Sequence, residues 1–381
     1  MKFVDEFRDA NLARTLLDRI HRVCTSQWTI MEVCGGQTHS ILRHGIDQAL
    51  AGSVQLLHGP GCPVCVTPAA AIDQAIAVAQ QPGVILTSFG DMLRVPGTTD
   101  SLLQAKSRGA DVRIVYSPLD AVALACQHPQ SNVIFFAVGF ETTAPATALA
   151  VLQADRLGLA NFKTLVHHVC VLPAMEFIGR ASENRVQAFL AAGHVCTVTG
   201  YEAYQSFCQR YRLPVVVTGF EPVDLLQGIL ECVTLLETKQ VAVINAYSRS
   251  VRSPGNRRAR QLLAEVFETV ARPWRGLGVI DQGGMVLRPR FARFDAAAGV
   301  GVGEHGGSTT PPESDSDADQ RCRSGDVMTG RIRPPQCPHF GTTCRPQRPL
   351  GAPMVSSEGA CAAYFAYQSG SPINTTQAPN R

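Results

Sequence analysis

The stretch GPGCPVC, residues 59–65, sets Cys62 and Cys65 three positions apart, among residues that fix the backbone: Gly59, Pro60, Gly61 and Pro63. An apolar run, VQLLH, precedes it. A helix-like run, TPAAAIDQAIAVAQ, follows, with Thr67 as its expected N-cap and Pro68 as its first helical residue. The pair is therefore expected on a strand-to-helix turn, where the positive end of a helix dipole lowers thiol pKa and favours thiolate. Thiolate both attacks disulfides and binds metal. The spacing alone leaves open a redox dithiol, a metal site, a structural zinc half-site or an inert pair.

A third cysteine, Cys34, closes an apolar run and begins CGGQTH, residues 34–39. Gly35 and Gly36 let backbone come close to a ligand, Thr38 is a candidate helix cap, and His39 falls in the first turn of the following helix. Both cysteine motifs end strands, and open α/β sheets bind ligands at the carboxyl ends of their strands. Cys34, Cys62 and Cys65 are thus expected in one cleft, where a soft iron with π-acid ligands would suit three thiolates. His39 reads equally as a capping or core histidine.

A later quartet, Cys322, Cys337, Cys344 and Cys361, is spaced Cys-x14-Cys-x6-Cys-x16-Cys. Four thiolates suit a tetrahedral zinc or a [4Fe–4S] cluster. The wide spacing, without close cysteine knuckles, favours iron–sulfur over zinc. GFETTAP, residues 139–145, offers Glu141 as a general acid or base facing the cysteines, or merely as a helix-start acid. GFEP, residues 219–222, carries the same ambiguity. His167 and His168 are adjacent in an expected strand, so they point to opposite faces and do not chelate together. Cys24, Cys126, Cys170, Cys196, Cys208 and Cys232 lie in apolar patterns and read as packed small hydrophobes.

The elements that carry these motifs alternate. Residues 1–28 repeat apolar positions at helical spacing, from Phe7 to Val23. TIMEVC, VQLLH, GVILTSFG and DVRIVYS read as strands separated by helical runs, one of them THSILRHGIDQAL with Gly45 as its weak point. A second unit is expected from residue 131, where NVIFFAVGF is apolar enough for a central parallel strand. FKTLVHHVCVL, HVCTVTG and LPVVVTGF read as its further strands. ILTSFGDMLRVPGT, FFAVGFETTAPAT and VVVTGFEPVDLLQG echo one another, which suggests two similar α/β domains. Residues 299–320 read as a disordered loop, and the cysteine-bearing 321–367 is too poor in apolar pattern to fold without a staple.

In 381 residues, 17% charged side chains and a net charge of +3 give no basic stripe for nucleic acid. No apolar run reaches membrane-helix length and no signal peptide precedes the first helix, so a cytoplasmic location is expected. Thirteen cysteines in a reducing compartment point to metal or thiol chemistry rather than a disulfide framework.

MEVCGGQTH, LLHGPGCPVC, TSFGDMLRVPG, QAKSRGADVRIVYSPLDA, GFETTAP, GFEPVDLLQGIL, WRGLGVI, QCPHFGTTC and MVSSEGACAAYF, in this order, resemble the HypD family of nickel–iron hydrogenase maturation factors over residues 1–367. The resemblance implies two similar parallel-sheet α/β domains, 29–130 and 131–290. It also implies a third, cysteine-rich iron–sulfur domain built from 1–28 and 291–367; the tail 368–381, QSGSPINTTQAPNR, reads as disordered from its own residues. It implies a scaffold for the Fe(CN)2CO group, working with a HypC-type chaperone, with cyanide from HypE and HypF, and serving the hydrogenase large subunit. Cys34 would bind the iron, Cys62 and Cys65 would form a redox-active dithiol near it, and Cys322, Cys337, Cys344 and Cys361 would hold a [4Fe–4S] cluster that relays electrons. Relatives often read Cys-x-Cys-Gly where this chain has Cys322-Arg323-Ser324-Gly325, which makes Cys322 the ligand by default. Competing readings are an iron–sulfur thiol–disulfide oxidoreductase and a zinc-dependent hydrolase or zinc-stabilised binding protein.

Overall fold

A computed structural model describes residues 5–297 and 322–368. Two parallel sheets organise it. The first joins five strands in the order β2-β1-β7-β8-β9: β1 (Trp28–Glu32), β2 (Val54–His58), β7 (Ala188–Ala192), β8 (Val215–Thr218) and β9 (Val243–Asn245). The second joins four in the order β4-β3-β5-β6: β3 (Val84–Ser88), β4 (Val112–Ile114), β5 (Asn132–Gly139) and β6 (Phe162–His168). All neighbours within these two sheets run parallel. An antiparallel hairpin, β10 (Phe267–Trp274) and β11 (Gly278–Leu287), completes the strands and packs along β6.

Side-chain alternation explains the layering. In the first sheet Met31, Phe189, Ala191, Val215 and Val217 face one core, while Ile30, Ala188, Leu190 and Val216 face another. In the second, Ile85, Val133, Phe135 and Ala137 face one side, and Val84, Leu86, Ile134, Phe136 and Val138 the other. A strand buried on both faces under helices reads as a continuous apolar run, as NVIFFAVG does.

The α/β class and the parallel sheets agree with the sequence reading, but the units do not divide at residue 130. β3 pairs with β5 directly, with Ile85 opposite Val133, so the expected boundary falls inside one sheet. The first sheet is instead closed by distant segments, with Ile30 opposite Ala188. The second sheet is therefore an insertion between two halves of the first.

Local expectations also shift. HVCTVTG is not a strand; it lies in the helix Gly193–Thr199, and the strand is the preceding AFLAA. Thr67 does not cap the next helix. It ends a short turn, Pro63–Val66, and its hydroxyl donates to the Pro63 carbonyl. Thr38 does not cap either, because Cys34 is the N-cap of Gly35–Arg43. Gly45 does break the helical run, at φ 65°. Of the six cysteines expected in packed positions, Cys170, Cys196, Cys208 and Cys232 are buried, Cys24 is half-buried and Cys126 is exposed.

The expected third domain is not formed as drawn. The N-terminal helix Ala10–Val23 packs on Pro222–Glu237 and buries Ile20 in the core of the first sheet. The C-terminal segment lies against the helix Gly35–Arg43 through the helix Ala360–Gln368. Its own apolar cluster is small and borrows Leu42 from Gly35–Arg43. So few apolar groups cannot close an independent core. The loop expected at 299–320 and the tail after Gln368 lie outside the described residues.

This topology makes a prediction. Residues 29–130 expressed alone carry β3 and β4 without β5, and β1 and β2 without β7. They should show no cooperative unfolding transition by circular dichroism, whereas the full chain should. A sharp transition from the fragment would contradict the interleaved sheets.

Candidate functional site

β1 lies where the strand order of the first sheet reverses direction, with β2 on one side and β7 on the other. Such a switch point opens a crevice at the carboxyl ends of the strands. Cys34 sits there, two residues after β1, in extended backbone at φ −147°. Its N–H donates to Glu32 Oε2 at 2.7 Å. Glu32 is fully buried, and its Oε1 also accepts from the Thr38 hydroxyl and faces His58 Nδ1 at 2.7 Å. One carboxylate thus holds the strand end, the following helix and β2 together.

The Cys62–Cys65 turn comes off β2 next door. Gly59 N–H donates to the Glu32 carbonyl, and Gly35 N–H donates to the Gly61 carbonyl, both at 2.8 Å. A Cβ at Gly61 would stand 2.2 Å from the Cys34 nitrogen, so only glycine permits this approach. The three expected cysteines are therefore brought side by side. Cys62 and Cys65 are joined as a disulfide with a Cα–Cα distance of 5.2 Å. They are 4% and 2% exposed, respectively. Cys62 Sγ also accepts the Cys65 N–H, as the N-cap of its short turn.

The C-terminal segment forms the roof. A cavity of ≈ 10 Å³, about the room one water needs, is lined by Gly35, Gly61, Cys62 and Cys65 below and by Pro353, Glu358 and Ala360 above. A Cβ at Gly35 would lie 2.4 Å from the Glu358 carbonyl oxygen, so the roof presses directly on the Cys34 turn. The turn Pro63–Val66 packs on Ala352–Met354.

The four late cysteines gather in this same segment. Burial pushes the Cys361 thiol far up, and the nearby Cys322, Cys344 and Cys337 push it further, so the four sulfurs stand within electrostatic reach. Burial raises Cys322 too, while its hydrogen bonds with Ser324 and the buried Arg275 guanidinium pull it back. Among the described residues no group of three His, Cys, Asp or Glu is arranged to hold a metal ion. As a donor set, however, four crowded thiols cannot all ionise without a compensating cation, which is the chemistry of thiolate ligands to an iron–sulfur cluster or a metal.

A helix N-terminus ordinarily lowers the pKa of a thiol at its cap, but Cys34 behaves otherwise. Burial first, and the Glu32 carboxylate second, push its thiol up to about 12. Desolvation outweighs the helix dipole here. His39 Nε2 lies 3.1 Å from the Tyr367 hydroxyl, tying His39 to the roof.

Glu141 is not in the cavity with the cysteines. It is buried at the end of β5, and Oε1 accepts the Val171 N–H at 3.0 Å, at the start of the helix Val171–Gly179. Burial pushes its carboxyl up to about 7. His167 and His168 have separate partners, Arg272 and Thr147, as adjacent strand positions must.

Sequence reasoning missed several groups around Cys34. The Phe220 ring lies 3.3 Å from a Cβ built on Gly36, whose next neighbour is Cys34 Sγ, and it stacks on His194 at 3.7 Å. Beyond them opens a cleft of ≈ 460 Å³, where Arg249 pairs with Asp224 and Arg8 with Glu221. The GFEP glutamate is thus spoken for by Arg8. Glu32 and His58 carried a usable signal: each is a lone ionisable group ending an apolar strand.

The family model described as "HypD: Hydrogenase formation hypA family" matches residues 11–368. The chain belongs to the HypD family. It is 45% identical over 377 residues to the hydrogenase maturation factor HypD of Rhodobacter capsulatus, covering 96% of this chain and 98% of that protein. It is also 45% identical to HypD of Escherichia coli K12, covering 97% and 98%, and 44% identical to HypD of Azotobacter vinelandii, covering 96% and 97%. Among the described residues no helix is long and apolar enough to cross a membrane.

Glu141 sets a pH test for this HypD fold. Its folded pKa of about 7 lies above the ordinary 4.5, so the folded state holds the proton more tightly. That contribution is intact below the unfolded value and is lost as pH rises toward 7. Glu141→Gln keeps the acceptor for Val171 and removes the charge. Urea unfolding at about pH 5 and pH 8 should show the variant gaining stability relative to the parent at the higher pH. An unchanged difference would place the carboxyl in water.

Proposed function

We propose that this chain acts in hydrogenase maturation as the scaffold on which the Fe(CN)2CO group is assembled. The relatives' names as hydrogenase maturation factors support the setting. The observation that carries the reading is the bond from Gly35 N–H to the Gly61 carbonyl, which sets Cys34 beside a buried disulfide, under a roof drawn from the four-cysteine segment. A metal-cargo thiol and a redox pair share one crevice.

Cys34 receives the iron cargo as substrate. With its thiol held protonated, iron binding must expel that proton, so loading is favoured as pH rises. A small HypC-type chaperone supplies a further ligand, a HypE-type donor supplies cyanide, and the hydrogenase large subunit takes the product. Cys62 and Cys65 form the redox pair. Opening their disulfide consumes two electrons and two protons and yields two thiols. Because the pair is buried, bulk reductant reaches it only if the roof lifts; otherwise electrons pass through segment 351–361.

Cys322, Cys337, Cys344 and Cys361 would hold a [4Fe–4S] cluster, which supplies one-electron exchange when bound. The Ala352–Met354 turn packs against both Pro63–Val66 and the helix that carries Cys361, so it stands between the disulfide and the four-cysteine segment. The plain thiol–disulfide oxidoreductase remains the second reading, favoured by the disulfide itself.

Anaerobically purified protein should absorb broadly at about 400 nm. With the HypC-type chaperone it should show infrared bands of bound CO and cyanide. Cys34→Ala should keep the visible colour and lose those bands, and Cys344→Ala should bleach the colour. Colour without infrared bands in the parent would leave only the oxidoreductase. A colourless protein containing stoichiometric zinc would overturn both readings.

A further inference from the structure

The helix Ala360–Gln368 carries Cys361, Tyr364 and Tyr367, each three residues from the next, so their side chains follow one side of it. Each has a different connection. Cys361 belongs to the four-cysteine group. The Tyr364 hydroxyl lies 3.2 Å from His58 Nε2, with the rings edge-on at 5.4 Å. His58 Nδ1 faces Glu32, and Glu32 accepts the Cys34 N–H. The Tyr367 hydroxyl lies 3.1 Å from His39 Nε2, with the rings edge-on at 5.2 Å, and His39 is on the helix that Cys34 caps. Two tyrosine–histidine pairs therefore run in parallel from one short helix to the two sides of the Cys34 turn.

We propose that Tyr364 and Tyr367 are positioning residues that couple the four-cysteine site to Cys34. Ligation of Cys361 fixes the helix Ala360–Gln368, and the two phenols pass that fixation to the Glu32–His58 pair and to His39. The conformation of the Cys34 turn thus depends on whether the roof site is filled. Two further features fit this. Gly35 is pressed against the Glu358 carbonyl, two residues before the helix begins, so roof movement reaches the turn without slack. Among the described residues the buried apolar cluster here is small, Leu42, Ala363 and Tyr364, with Phe340 and Tyr367 at its margin. With so little packing, polar contacts hold a large share of the contact. The proposal rests on the reading that the four thiols act as one ligand site. It adds that this site controls the cargo thiol as well as the dithiol.

The test uses the full chain, purified anaerobically with its iron, and reads the rate of Cys34 alkylation by iodoacetamide through peptide mass spectrometry at fixed pH. Cys361→Ser empties one ligand position. In the parent it should change the Cys34 rate by about fivefold or more, the scale of an ordinary coupling between sites. In the Tyr364→Phe/Tyr367→Phe background, which keeps both rings, the same change should fall below about twofold. If the double variant does not fold, Tyr364→Phe and Tyr367→Phe tested singly should each remove part of the response. Leu42→Ala loosens the same contact but leaves both hydrogen bonds, so the response should survive in it. Equal responses with and without the phenols would overturn the proposal, as would no response in the parent. Loss of the response in Leu42→Ala would overturn it too, by assigning the coupling to packing. Failure of the underlying reading shows separately, as absence of iron–sulfur absorption in the unmodified protein.

Discussion

A carboxylate buried without partners costs several kcal/mol, and Glu32 avoids that cost by drawing three donors or ring nitrogens from three elements. The Cys34 amide comes from the strand end, the Thr38 hydroxyl from the helix that follows, and the His58 ring from the neighbouring strand. Each partner is placed where it is because the charge must be met. The cysteine that ends β1 is thereby fixed in direction, and the strand that leads to the disulfide is fixed in register, with Glu32 opposite His58. The backbone at Cys34 is thereby set before any ligand arrives.

Sheet order then decides what surrounds the anchor. Because β1 lies between β2 and β7, the crevice beside Cys34 is flanked by the CPVC turn on one side and by His194 and Phe220 on the other. The C-terminal segment closes over the first of these flanks and leaves the second open as a cleft. Two cavities therefore lie on either side of the Cys34 turn: a small one beside the disulfide, and an open cleft lined by aromatic rings and paired charges.

The strands and the chemistry-bearing turns were legible, because parallel strands buried on both faces leave unmistakable apolar runs and because glycines and prolines mark their ends. VQLLH, GVILTSFG and NVIFFAVGF all became strands. Which strands pair was not legible, since an apolar run states that a strand is buried but not beside which neighbour. AFLAA, low in β-branched residues, hid β7, while the β-branched HVCTVTG formed a helix; tertiary burial overrode local propensity in both. The convergence of Cys34 with Cys62 and Cys65 followed from a general rule about strand ends. The raised thiol pKa of Cys34 did not, because desolvation depends on how distant segments pack around it in the core of the first sheet. Glu141 was rightly seen as a group at a strand end, yet which helix it serves depended on the placement of Val171.

The insertion of one sheet inside another also bears on how the chain is made. β1 and β2 leave the ribosome long before their partner β7, since Ile30 waits for Ala188. At ordinary elongation rates that interval is roughly ten to thirty seconds. Meanwhile the nascent chain displays an unpaired β1 edge beside Cys34, Cys62 and Cys65. Synthesis of this protein thus includes a period of vulnerability to stray oxidation and strand pairing, which lasts until β7 emerges to cover that edge.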